Sequence, residues 1–210
     1  MSREPMLEPD LEVDSSDEID GRVARRERNR DSIIDAIMVL IHAGEVTPNF
    51  ADVAALAGVS ERSIFRHFDT REALLAAVIE RQMEVVASLV RPVSTTGSLA
   101  SRVEAFVAGR ARVFEATAPV RRASVHAART SDQVSRQMAE NHDLARFDFE
   151  TVFSRELERR SLVERRDLVA GLNTATSWES WDLLRTVEGC SVARARRVLE
   201  RMLNQNLGEN

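Results

Sequence analysis

The side chains best suited to chemistry lie between Phe50 and Phe68, in the run FADVAALAGVSERSIFRHF. Arg62, Ser63, Phe65, Arg66 and His67 would stand on the exposed side of a short helix over 61–67, with Ile64 and Phe68 turned to a core. Arginine can bond bidentately to the O6 and N7 of guanine, serine reaches either edge of a base pair, and an aromatic ring can meet a thymine methyl. Just upstream, residues 22–30 (RVARRERNR) hold five arginines against one glutamate. Such a run could neutralise phosphates, although a solvated start to a helix would read the same way.

Other chemistries find little support. There is no glycine-rich phosphate loop and no nucleophile elbow. His42, His67, His126 and His142 never occur at metal-ligand spacing, and the single Cys190 cannot build a zinc site or an intrachain disulfide. All 29 basic residues are arginine, so lysine Schiff-base chemistry is excluded. The expectation is a non-enzyme with no metal and no cofactor. Except for His67, the histidines read as packing or surface groups.

The formal charge of −5 at pH 7 argues weakly against a polyanionic partner. Its distribution answers this. Residues 1–20 carry eight acidic groups and only Arg3, a net of −7, which leaves the other residues at +2. That acidic, aromatic-poor stretch reads as a disordered tail over 1–21.

The elements that must position these groups are helical. Gly and Pro are sparse, at 8 and 5 of 210 residues, and apolar positions recur at helical rather than alternating spacing. A first helix is expected over 23–43, with Ile33, Ile34, Ile37, Leu40 and Ile41 on its buried stripe and Gly44 ending it. Asn49 or Thr47 can cap a second helix over 50–57. Gly58 then supplies a turn, Val59 plugs it, and Ser60 caps the helix over 61–67. Small Ala54 and aliphatic Ile64 suit the close crossing that so tight a turn forces. Beyond lie expected helices over 71–90, 99–117, 119–129, 132–160, 164–187 and 192–207, nine in all.

The run from Phe50 to Leu75 resembles the signature of the TetR regulator family. It reads Phe50-Ala51-Asp52-Val53-Ala54, then Ala57-Gly58-Val59-Ser60, then Ser63-Ile64-Phe65-Arg66-His67-Phe68, then Thr70-Arg71-Glu72-Ala73-Leu74-Leu75. With the first helix, the resemblance spans about 50 residues. Three departures stand out. Phe65 replaces a customary tyrosine whose hydroxyl would meet phosphate. Arg62 and Arg71 replace frequent lysines. Pro48 and Asn49 replace two threonines that commonly open the second helix. A helix-turn-helix that has lost DNA function therefore stays as an alternative.

The resemblance implies an all-α protein with a three-helix DNA-binding domain over 22–70 and an effector-binding and dimerisation domain over 71–210. It implies DNA contacts from Arg25, Arg26, Arg28, Asn49, Ser60, Arg62, Ser63, Phe65, Arg66, His67 and Arg71, and a repressor released from operator double-stranded DNA by a small-molecule effector. It also implies a homodimer through the helices over 164–187 and 192–207. For the effector pocket it points to Phe106, Arg110, His126, Arg129, His142, Phe149, Asn173 and Trp178, each of which could equally be core or surface. A largely apolar ligand is expected, with the arginines adding a preference for an acidic end. No signal-peptide-like stretch opens the chain, its longest strongly apolar run is 36–41, and the location expected is the cytoplasm, with no membrane association.

Overall fold

The computed structural model describes residues 15–208, with side chains from Asp20 onward. Ten helices and no strand occur among the described residues. The acidic residues 1–14 lie outside them. The first helix, α1 (Ser15–His42), begins well before the expected Val23, so 15–21 are helical rather than tail.

The next three elements follow the sequence closely. They are α2 (Phe50–Ala57), α3 (Glu61–His67) and α4 (Arg71–Leu89). Each has a side-chain cap: Asn49 on α2, Ser60 on α3 and Thr70 on α4 accept from backbone N–H groups of the first turn. Gly58 adopts φ +68, the left-handed conformation that lets α2 stop and α3 start within three residues. Val53, Ala54, Ile64 and Phe68 join Ile33, Ile34, Ile37 and Ile41 in one core. Leu40 is only half-buried against it. This core does not end at residue 70. It takes in Leu74, Leu75, Val78 and Ile79 of α4 and reaches Val120, Ala123 and Val134. Arg81 of α4 also pairs with Asp31 (2.6 Å) and Asp35 (2.9 Å) of α1. The N-terminal helices are thus fastened to α4 by shared core and by charge.

The remaining helices are α5 (Leu99–Ala127), α6 (Asp132–Val152), α7 (Ser154–Glu158), α8 (Leu162–Ala175), α9 (Trp178–Thr186) and α10 (Val192–Leu207). Three boundaries differ from the expectation. The break at Pro119 does not occur, and α5 runs through it. Proline lacks one N–H, but Phe114, Thr117, Val120 and Ala123 are buried on both sides of it, and this packing holds the helix together. The expected helix over 132–160 breaks at Phe153, where Arg102 of α5 donates to the Val152 carbonyl (2.7 Å). The Glu156 N–H turns instead to the Phe153 carbonyl (3.1 Å). The expected helix over 164–187 breaks at Thr176 in the same manner. There Arg110 of α5 takes the Thr176 carbonyl (2.8 Å), and Ser177 caps α9 by accepting from Ser180 N–H. Two buried arginines of one helix therefore set two helix ends.

The second core gathers Phe106, Phe149, Phe153, Leu157, Trp181, Leu199 and Leu203. Here α10 lays Ala195, Leu199, Leu203 and Leu207 inward, and α5 is its main neighbour. Most of the C-terminal apolar surface is therefore covered within the protomer. Val163, Leu183, Val187 and Met202 remain exposed. Among the described residues no helix is long and apolar enough to cross a membrane, and no group of His, Cys, Asp and Glu could hold a metal ion.

Candidate nucleic-acid interface

Helix α3 is a seven-residue rod held at both ends. Ser60 Oγ accepts from Ser63 N–H (3.2 Å), and Ile64 is wholly buried beneath the rod. Burying Ile64 and Phe68 turns Arg62, Phe65 and Arg66 outward by helical geometry, and all three are exposed. Arg66 Nη2 donates to Ser63 Oγ (3.1 Å), one turn back. This lightly orders the guanidinium and is easily exchanged for a base edge.

His67 sits differently. It is half-buried, and its Nε2 is buried without a hydrogen-bond partner. Burial lowers its pKa, and the charges of Arg66, Arg26 and Arg30 lower it further. Both influences favour the neutral ring. The same three charges show that the arginines of α1 and the outer face of α3 converge around one side chain. Arg30 also lies over the Phe68 ring at 5.4 Å. Arg25, Arg26 and Arg28 are exposed on α1. Arg26 and Arg30 of α1 thus put positive charge beside Arg62 and Arg66 on the presented face of α3, an arrangement that attracts a polyanion.

Three expected contact residues have internal duties. Asn49 is exposed, but its Oδ1 accepts from Asp52 N–H (2.8 Å) and its amide donates to the Asp52 carboxylate. Phe65, half exposed, packs edge-on against Phe50 with ring centroids 4.9 Å apart. Arg71 lies over Phe50 at 4.6 Å and donates to the Pro48 carbonyl at 2.6 Å. Arg71 is thus a clasp between the start of α4 and the loop before α2. Replacing it with alanine removes one hydrogen bond and one cation–π contact and should lower stability by about 1–2 kcal/mol. Chemical denaturation checks this; a change within about 0.3 kcal/mol, at the level of an ordinary surface substitution, would show the clasp to be idle.

Residues 33–78 match the family model for bacterial regulatory proteins, tetR family. Over these residues the chain is similar to the tetR family's regulators. The matched span starts inside α1 and ends inside α4, so it covers the α3 rod and the part of the first core that α1 to α4 supply up to Val78. Outside this tetR-type module the likeness is one of fold. A transcriptional regulator from Rhodococcus sp. Rha1 superimposes with a TM-score of 0.63 at 18% identity, over 87% of this chain and 95% of that one. A transcriptional regulator of the TerR/AcrR family from Aquifex aeolicus VF5 gives a TM-score of 0.56 at 16% identity, over 84% and 98%. No curated protein is significantly similar in sequence.

The expected effector residues separate into groups. Phe106 and Arg110 line a cleft of about 340 Å³ among α4, α5 and α6. Arg110, His142, Asn173 and Trp178 line its inner recess of about 80 Å³. His142 Nε2 and the Asn173 amide are hydrogen-bonded at 3.1 Å. Phe149 is fully buried and packs on Phe106 and Phe153, so it supports the cleft without lining it. His126 is exposed and borders a separate cavity of about 160 Å³ shared with Ile37, Pro48 and Leu75. Arg129 is exposed beyond the end of α5 and lines neither the cleft nor that cavity. Sequence reasoning missed Arg121, Gln82 and Phe114. The signal was present for two of them: Phe106, Arg110, Phe114 and Arg121 share one face of α5 at near-helical spacing, with two arginines where a core residue belongs.

Proposed function

We propose that the protein is a sequence-specific DNA-binding transcriptional regulator, a repressor that leaves its operator when a small molecule occupies the α4–α5–α6 cleft. The observation that carries this reading is the exposed Arg62–Arg66 face of α3, with Arg26 and Arg30 of α1 close to its His67. Helix α3 enters the major groove and reads bases. Arg25, Arg26 and Arg28 meet phosphates or the minor groove.

The regulator acts in the cytoplasm as a homodimer built on α8–α10, which gives the operator two-fold symmetry with half-sites about one helical turn or somewhat more apart. Exposed Val163, Leu183, Val187 and Met202 support an interface there. Coupling runs through α4. Its Val78 and Ile79 belong to the core beneath α3, and its Met83 and Val86 line the cleft. A ligand that shifts α4 also shifts the helix-turn-helix, through that core and through the Arg81 pairs with α1.

Selection of binding sites from a random duplex library tests the reading. Enrichment of a two-fold-symmetric sequence is expected. Recovery of unenriched DNA would leave only a non-specific binder, and no recovery would remove DNA from the function altogether.

A further inference from the structure

Helix α5 presents three arginines from one side, and their partners differ. Arg102 has a full carboxylate partner in Glu156, bonded to both oxygens, and also takes the Val152 carbonyl. Arg110 is 8% exposed and stacks on Phe106 at 4.4 Å, yet its acceptors are neutral: the Thr176 and Ala145 carbonyls, Thr176 Oγ1 and Asn173 Oδ1. Arg121 lies over Phe114 at 5.6 Å and donates only from Nε, to Thr117 Oγ1 at 3.2 Å. Among the described residues neither Arg110 nor Arg121 forms an ion pair. Asp148 acts on Arg110 and Glu179 on Arg121 only at longer range.

A buried cation without a counter-charge is costly, and proteins normally supply one. This chain does so for Arg102, but no carboxylate touches buried Arg110 or half-buried Arg121, which line the cleft together with the more distant Asp148 and Glu179. The cost is visible in Arg110, whose pKa burial pulls down to about 10. Two further groups in the inner recess lack partners. Trp178 Nε1 and Gln82 Oε1 are buried with no hydrogen bond, and each residue is 5% exposed. The rest of the cleft wall sets Arg91, Asn141 and Asp148 beside apolar Met83, Val86, Val113 and Leu144, and Glu179 lines the inner recess.

We propose that the cleft binds an amphipathic organic anion, a carboxylate on an apolar body, with its charged end between Arg110 and Arg121 and its apolar part along α4 and α6. This rests on the effector reading above and names the effector's chemical class. The carboxylate supplies the direct ion-pair partner that Asp148 and Glu179, acting only at longer range, do not, and its free lone pairs, or another acceptor on the ligand, can take the Trp178 N–H. A cation would meet two like charges, and a neutral molecule would leave both arginines unpaired.

The test uses the full chain with decanoate and phenylbutyrate as probes and with decanol and decylamine as uncharged and cationic controls. Binding is followed by calorimetry and by the shift in melting temperature. The carboxylates should bind and raise the melting temperature, while decanol and decylamine bind at least about tenfold more weakly. Arg121→Gln should weaken carboxylate binding by roughly tenfold to hundredfold, the value of a charge-assisted hydrogen bond, and leave the decanol affinity unchanged. Arg110→Gln should act in the same direction, but Arg110 also holds the start of α9, so the Arg121 variant carries the test. Equal binding of decanol or decylamine, or indifference of carboxylate binding to Arg121→Gln, would overturn the anion assignment and leave a small-molecule effector standing. Binding by none of the four would overturn both.

Discussion

Replacing Arg102 with leucine should lower folding stability by about 3–5 kcal/mol at neutral pH, the loss expected when one partner of a buried ion pair is removed. Arg102 is 2% exposed and Glu156 8%, so water cannot take over for the missing guanidinium. The Val152 carbonyl would lose its donor as well, and the α6–α7 break with it. The effect should depend on pH. Burial alone would raise the Glu156 pKa, but hydrogen bonds from Arg102, then its charge, outweigh this and hold the carboxyl below its ordinary range. A carboxyl depressed in the folded state stabilises above its unfolded pKa, and that stability is lost as pH falls through the folded value. In the leucine variant only burial remains as the main influence, the folded pKa moves up, and acid relieves the defect. The gap between wild type and variant should therefore be widest near pH 7 and narrow below about pH 4. Urea unfolding across that range reads both. A loss under about 1 kcal/mol at pH 7, or a gap that widens in acid, would show that the pair does not anchor the second core.

Ile64→Ala should cost about 2–5 kcal/mol and abolish DNA binding, because it empties the centre of the first core. Ile64 is fully buried where α3 crosses α2 and meets α1, and no neighbouring element is free to collapse into the space. Phe65→Ala, one residue away, is the control. Its ring is half exposed and touches Phe50 edge-on, so its loss should cost less than half as much and leave the domain folded. Circular dichroism melts of the two variants separate them. Similar stability losses would mean that α3 is rotated from the orientation described, with Phe65 rather than Ile64 inward.

The helix-turn-helix was legible because its boundaries are written locally. Asn49, Gly58, Ser60 and Thr70 each act on their own neighbours, and the apolar spacing of Ile33 to Ile41 fixes which side of α1 is buried. The second domain was legible only in outline. The breaks at Phe153 and Thr176 carry no glycine or proline. At both, Arg102 and Arg110, 50 and 66 residues away, capture carbonyls, an interaction that no local pattern records, and only the Ser177 cap on α9 is written locally. Pro119 misled in the opposite sense, since packing on both sides carried α5 through a residue that usually stops a helix. The cleft was half legible. Arg110 and Trp178 were among the expected residues, but Phe149 faces the core, His126 and Arg129 lie elsewhere, and Arg121 was passed over as one arginine among many. Arg71, a DNA contact by resemblance, also joins the Pro48 carbonyl and the Phe50 ring.

Under the proposed function, α3 reads base sequence while the arginines of α1 hold the backbone. The direct measurement is the affinity of Arg66→Ala and Arg25→Ala, beside the wild type, for a selected operator and for scrambled DNA at several salt concentrations. Arg66→Ala should lose about 1–3 kcal/mol on the operator, relax preference at one base position in each half-site, and bind scrambled DNA nearly as before. Arg25→Ala should weaken both DNAs alike and reduce the salt slope by about one unit for each phosphate that is no longer neutralised. If Arg66→Ala instead weakens operator and scrambled DNA equally, α3 contributes charge without reading sequence.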